Sequence, residues 1–271
     1  MHIVVPIKQI PDPDAPASAI RVAEDARSFS VAATVKSLIS PFDEQALEAA
    51  LRIRDAAGAG GASVKITAIS LGRESAREVL KHALGMGADD AILLCDTAFE
   101  GSDSFATALA LSKAIAKLEP FDLIIAGRQA ADFDYGIVGA GLAELLGLAA
   151  ITMARSVEIA GRTLRVERAL PEGSETVETD LPALVTVSNE LGTPRYPSLR
   201  MMMRAGRKTI PVWKPADIGL GAESVGAAGA MVDIERFITP RFDVQCEFIG
   251  ADSAREIAST LVERLRDARI L

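Results

Sequence analysis

Cysteine, histidine and aromatic residues are scarce in this chain, and each scarcity removes a class of function. Two cysteines, Cys95 and Cys246, stand far apart, which leaves no disulfide framework and no thiolate zinc site. Two histidines, His2 and His82, are too few for a His-based metal site, and neither belongs to a Ser-His-Asp pattern. No catalytic nucleophile and no metal ligand set emerges. Only 4% of the residues are aromatic. Positive charge is outnumbered, 29 Lys and Arg against 37 Asp and Glu, for a formal net charge of −8. An acidic chain of this kind is not a general binder of nucleic acid or of anionic membranes. No apolar run reaches the roughly 18 residues of a spanning helix, and "MHIVVPIKQIPDPD" lacks the charged start and long apolar middle of a signal peptide. The expectation is a soluble cytoplasmic protein with no nucleic-acid partner and no stable membrane insertion.

What the chain does have is apolar residues, 49% of its 271 positions, enough for one large α/β domain with an appendage. "HIVVPIKQI" (2–10) reads as a strand buried on both faces. Residues 19–38 suggest a small hairpin. "SPFDEQALEAALRIRDA" reads as a helix capped by Ser40 or Asp43, ended by "GAGG" (58–61). Strands at 64–70, 91–95, 122–127 and 149–153 then alternate with helices at 73–84, 104–118 and 137–147. Such alternation predicts a parallel sheet with right-handed crossovers, and such sheets bind ligands beyond the carboxyl ends of their strands. After 153 the texture changes. "RSVEIAGRTLRVERAL" predicts a β-hairpin, and 182–190 another strand. A short helix lies within "PSLRMMMRAGRKTI". Residues 211–231 read as a Gly/Ala-rich loop and "RFITPRFDVQCEF" as extended chain. Residues 251–271 form an amphipathic helix capped near Asp252 or Ser253, with Ile257, Leu261 and Leu265 along one face.

The segment "FDLIIAGRQAADFDYGIVGAGLAELLG" (121–147) raises the functional question. A buried strand opens at Gly127 into Arg128, Gln129, two aspartates and glycines, and a helix follows. There is no P-loop, and residues 10–16, "IPDPDAP", are not a dinucleotide fingerprint. The loop still carries what a nucleotide needs. Gly127 permits close approach of a ligand. The free N–H groups between Gly136 and Gly139 suit phosphate. Asp132 and Asp134 either accept from ribose or cap the helix, and Gln129 offers donors and acceptors to base or ribose. Phe42 either packs on a flat ligand or staples the helix start. In 189–210, Leu199, Met201, Met202 and Met203 with Arg195, Arg200, Arg204, Arg207 and Lys208 form either core with a solvated face or an adaptable docking surface.

Several stretches together, "VPIKQIPD", "PFDEQALEAALRI", "GADDAILL", "IIAGRQAADFD" and above all "LPALVTVSNELGTPRYPSLRMMMRAGRKTIPVW", resemble the β subunit of electron transfer flavoprotein, from residue 2 to about 214. The resemblance implies a Rossmann-like parallel sheet with helices on both faces, a small β-hairpin addition and a C-terminal arm ending in a helix. Residues 1–235 would be the nucleotide-binding domain and 236–271 an arm docking on the α subunit. FAD would sit mainly on that α subunit, and AMP or a second FAD on this one. Carried over by position, the nucleotide pocket would comprise Pro6, Ser40, Pro41, Phe42, Asp43 and Leu71. The loop would add Gly127, Arg128, Gln129, Ala130, Ala131 and Asp132, then Phe133, Asp134, Tyr135, Gly136, Ile137 and Val138. Thr193, Pro194, Arg195, Tyr196, Leu199, Met202 and Arg204 would dock an acyl-CoA dehydrogenase-type flavoenzyme, with Leu199 as anchor. Gly136, Ile137 and Val138 replace the Asn and Gln-Thr usual in simple carriers, so main-chain amides are the expected phosphate contacts. Such a subunit is an electron carrier and not itself an enzyme. The alternative is a stand-alone adenine-nucleotide-binding module of stress-protein type, which would need neither the 189–210 segment nor a detached terminal helix. An ATP-using ligase would want an SGGxDS-like loop where "IKQIPDP" stands.

Overall fold

The computed structural model describes residues 1–60, 63–239 and 245–271. In chain order the strands and helices are β1 (His2–Pro6), β2 (Gln9–Pro11), β3 (Ile20–Val22), β4 (Phe29–Val31), β5 (Ser37–Ile39), α1 (Pro41–Ala59), β6 (Lys65–Leu71), α2 (Arg77–Met86), β7 (Asp90–Leu94) and α3 (Ser104–Ala116). There follow β8 (Leu123–Gly127), α4 (Val138–Leu146), β9 (Ala149–Ala160), β10 (Thr163–Leu170), β11 (Gly173–Asp180), β12 (Ala183–Val187), α5 (Leu199–Gly206), β13 (Val212–Trp213), α6 (Gly226–Gly229) and α7 (Ala254–Asp267). One nine-stranded sheet runs β11-β10-β9-β12-β8-β1-β6-β7-β13. It is parallel from β9 to β13, and β10 and β11 extend it antiparallel. The fold is the expected α/β, Rossmann-like one.

Alternation along the strands explains the layers. Ile3, Val5, Leu123, Ile125 and Val185 point into a core shared with α1 and α2. Val4, Ile124 and Leu184 point into a second core shared with α3 and α4. Strands flanked by apolar layers on both sides read as continuous hydrophobic runs, which is why they were legible.

Several expectations are corrected. The run 2–10 is two strands, because the Lys8 N–H leaves the sheet to bond the Asp43 carboxylate at 2.8 Å. β2 instead pairs with β5, and β3 with β4 as the expected small hairpin. The 155–170 hairpin gains a third strand, β11, whose "GSETVETD" is exposed except for half-buried Val177 and Thr179 and carries a single apolar residue, Val177, too few for a strand pattern. Residues 211–231 are not all loop: β13 pairs with β7 at the sheet edge, too short to carry a periodic pattern. Ser253 caps α7, accepting from Glu256 N–H at 3.3 Å. The helix buries none of its residues. Gly61 and part of the 236–248 run lie outside the described residues.

Candidate functional site

The chain leaves β1 toward β6 and β7 on one side and returns as β8 on the other. The crevice at a reversal of strand order is where open α/β sheets bind ligands. Pro6, Leu71 and Gly127 end the strands there, and the start of α1 and the loop 128–137 overhang it.

Asp43 bridges the crevice and is not a helix cap. Its buried carboxylate accepts from Lys8 N–H and from the Gly127 N–H. Gly127 is needed for this internal contact: a Cβ there would meet Asp43 Oδ1 at 2.5 Å and the Phe42 carbonyl carbon at 2.8 Å. Burial pushes the Asp43 carboxyl up from 3.8 to about 7, against the two N–H donors that favour its charge. A carboxyl whose folded pKa is raised stabilises the fold below its unfolded value and loses that contribution as pH rises through about 7. His2 acts oppositely, since burial holds its pKa below 6.5. The difference between wild type and Asp43→Asn therefore isolates the carboxyl. In urea titrations from pH 4 to 7 the wild type should lose stability relative to the variant, by at most about 1.4 kcal/mol per pH unit. Parallel pH profiles would contradict this.

The loop's side chains satisfy one another. Lys8 Nζ donates to Asp132 Oδ2 at 2.6 Å and lies 5.5 Å from the Phe133 ring centre. Gln129 Nε2 donates to Asp134 Oδ1 at 2.7 Å, and Arg128 Nε to Gln129 Oε1 at 3.1 Å. The Arg128 guanidinium lies over the Phe42 ring at 5.1 Å. Ala130 accepts from Asp134 N–H, and Ala131 precedes Asp132 at the loop's crest. Gly136 turns the chain with φ +64°, and a Cβ there would stand 3.3 Å from the Arg128 carbonyl oxygen.

Neither aspartate caps α4. The N-cap is Ile137, no side chain bonds the helix start, and the first turn has no acid. Among the described residues the N–H groups of Val138, Gly139 and Ala140 find no acceptor. These are the orphan donors of a helix start, where the macrodipole is positive. At the beginning of α1, Ser40 takes the N-cap position behind Pro41, but its side chain makes no cap bond. The Ser40 hydroxyl is fully buried and has no hydrogen-bond partner among the described residues, nor has that of Ser70 beside Leu71. A buried hydroxyl left unbonded costs about 1–3 kcal/mol. Free amides facing an anion and an orphaned hydroxyl are the donor set a nucleotide uses.

The segment from Leu191 to Arg195 is held by charges that sequence reasoning missed. Glu48, 4% exposed on the inner face of α1, accepts from Arg195 N–H at 3.1 Å and Nε at 2.8 Å, and from Arg52 Nε at 2.9 Å. Arg52 also donates to the carbonyls of Leu191 and Thr193, and Arg195 pairs with Asp55. The guanidinium of Arg195 is thus turned inward and shapes the loop from Thr193 through Pro194. The signal was present: an acid inside the apolar run "ALEAAL". Tyr196, Leu199 and Met203 are 92%, 78% and 59% exposed. Met202 instead lies on α2, close enough that a Cβ on Gly85 would overlap its sulfur. A depression of about 450 Å³ runs between Leu199, Arg200, Met203, Arg204 and Arg207.

Comparison with known proteins gives a consistent family. Residues 29–218 match the Electron transfer flavoprotein domain. "Electron transfer flavoprotein subunit beta" of Thermoanaerobacterium thermosaccharolyticum is 39% identical over 272 residues, with 100% of both chains covered. The protein of the same name from Megasphaera elsdenii is 37% identical, again over 100% of both chains. "Caffeyl-CoA reductase-Etf complex subunit CarD" of Acetobacterium woodii is 34% identical over 100% of both.

Proposed function

This chain belongs to the electron transfer flavoprotein family as a β subunit, and on that premise we propose that it holds an adenylate, as AMP or as the AMP half of FAD, at the β1/β8 crevice. The observation that carries this is the uncapped start of α4, with Val138, Gly139 and Ala140 amides free and no acid in the first turn. Those amides take the phosphate. The Ser40 hydroxyl donates to the ligand, and Pro6, Phe42 and Leu71 flank its flat and apolar parts. Flavin supplies the electron chemistry when bound. The residues of this chain bind, orient and exclude water, and they move no proton.

The exposed α7, with Ile257, Leu261 and Val262 each more than a third exposed, docks on an α subunit that carries FAD. Tyr196, Leu199 and Met203, ringed by Arg200, Arg204 and Arg207, dock a flavoenzyme of the acyl-CoA dehydrogenase type that offers an apolar socket with an acidic rim. No helix among the described residues is long and apolar enough to cross a membrane.

The test is to purify the complex after co-expression with its α partner, denature it and identify the released nucleotides. One FAD per heterodimer is expected, accompanied by one AMP or by a second FAD. A 1:1 complex that yields one FAD and no second adenylate would refute the reading.

A further inference from the structure

The segment that leads into the C-terminal arm is anchored at two places and reaches the loop 128–137. Its first anchor is Asp103, the cap of α3, whose Oδ2 accepts from Met231 N–H at 2.8 Å and Val232 N–H at 3.0 Å. Its second is the β3–β4 hairpin, where Phe237 N–H donates to the Ala26 carbonyl at 2.6 Å. Between hairpin and loop the rings of three distant segments meet. Phe237 meets Phe29 edge-on at 5.1 Å and Phe133 at 6.4 Å, and Phe29 meets Phe133 edge-on at 5.9 Å. Phe133 in turn stacks on Tyr135 at 5.7 Å, two residues before the N-cap of α4. In a chain with so few aromatics, four in one cluster beside the candidate site is a concentration with a mechanical consequence. Aromatic contacts of this geometry hold segments in a defined relation beyond what area burial gives.

We infer that Phe237 and Phe29 are positioning residues of the nucleotide site: they clamp Phe133, and through Tyr135 they hold Gly136–Val138 and the free amides of α4 in the shape that receives phosphate. This rests on the adenylate reading above and adds a regulation to it. The same arm carries α7, so docking of α7 on the partner subunit holds the clamp in place and slows nucleotide release. The partner then controls exchange at a site it need not touch.

The experiment uses the co-purified heterodimer. Labelled adenylate is exchanged against the bound nucleotide, and its rate is followed after rapid gel filtration. Phe237→Ala should exchange about tenfold faster, the factor that about 1.4 kcal/mol corresponds to, and Phe237→Tyr should restore the slow rate. Phe133→Leu should reproduce the acceleration, and the double variant should be no faster than either single one. Loss of packing alone would lower thermal stability without rescue of the exchange rate by tyrosine. Wild-type complex with bound adenylate and an unchanged rate in Phe237→Ala overturns the clamp and leaves the adenylate reading standing. Wild-type complex with no adenylate overturns both.

Discussion

Ile137→Asp is expected to strip the proposed adenylate from the assembled complex while making helix α4 more stable. Ile137 occupies an N-cap position that Ser, Thr, Asp or Asn fills in most helices. Its side chain is 55% exposed, so a carboxylate is accommodated without repacking. That carboxylate would accept from the Gly139 or Ala140 N–H and neutralise the positive end of the helix. A good cap contributes about 1 kcal/mol of helix stability. The same bonds are then lost to the ligand phosphate. Two charge-assisted bonds at about 1.5–3 kcal/mol each make the expected fall in affinity a hundredfold or more, before repulsion between carboxylate and phosphate is added. Chromatography of the denatured complex should show less than one adenylate in ten retained. Melting of the nucleotide-stripped protein should show a Tm no lower than wild type. Full retention of nucleotide would mean that α4 does not hold the phosphate.

The second large effect concerns Glu48. Its carboxyl is held below the usual range: burial raises it, but hydrogen bonds from Arg195 and Arg52 outweigh burial. Removing it in Glu48→Ala leaves two guanidiniums facing each other. A fully buried pair broken in this way costs about 3–5 kcal/mol. Here the Arg52 and Arg195 side chains are 44% and 35% exposed, so water screens them and about 2–3 kcal/mol is the better expectation. In a chain of this size that lowers Tm by about 5–10 °C. It should also loosen residues 191–195, and electron exchange with the proposed flavoenzyme partner should show a raised KM. Leu199→Ala is the contrasting variant. It removes an exposed side chain, so KM should rise while Tm stays within about 2 °C. A Glu48→Ala protein with wild-type Tm would show that the network is only a surface ion pair. Because the Glu48 pKa is depressed, its contribution is present above about pH 4.5 and is lost as pH falls below it. Acid should therefore reproduce the loosened loop.

The parts of the site that were readable in the sequence are those encoded by local pattern. "FDLIIAG" followed by polar residues, glycines and a helix located the loop, because a strand buried on both faces must end where polarity begins. "PFDEQALEAALRI" located α1 for the same reason. The functions of individual polar residues were not readable from local pattern. Asp43 looked like a cap from its place in the first turn, yet it bonds the Lys8 and Gly127 amides. Asp132 and Asp134 looked like ligands or caps and are bound to Lys8 and Gln129. Arg195 looked like a docking residue and is turned onto Glu48. Except for Gln129, which lies five positions from Asp134 in the same loop, each partner lies far along the chain or on another element, and no local spacing encodes it.

By itself the sequence determined the alternation of strands and helices and the family. These follow from periodic burial and from short contiguous motifs, both of which are properties of neighbouring residues. Tertiary structure alone decided which donors remain free at the crevice, that the start of α4 is uncapped, and that Phe29, Phe133, Tyr135 and Phe237 share one cluster. Those facts depend on which distant groups satisfy each other once the sheet brings them together, and hydrogen-bond saturation and ring contact are set by proximity in space.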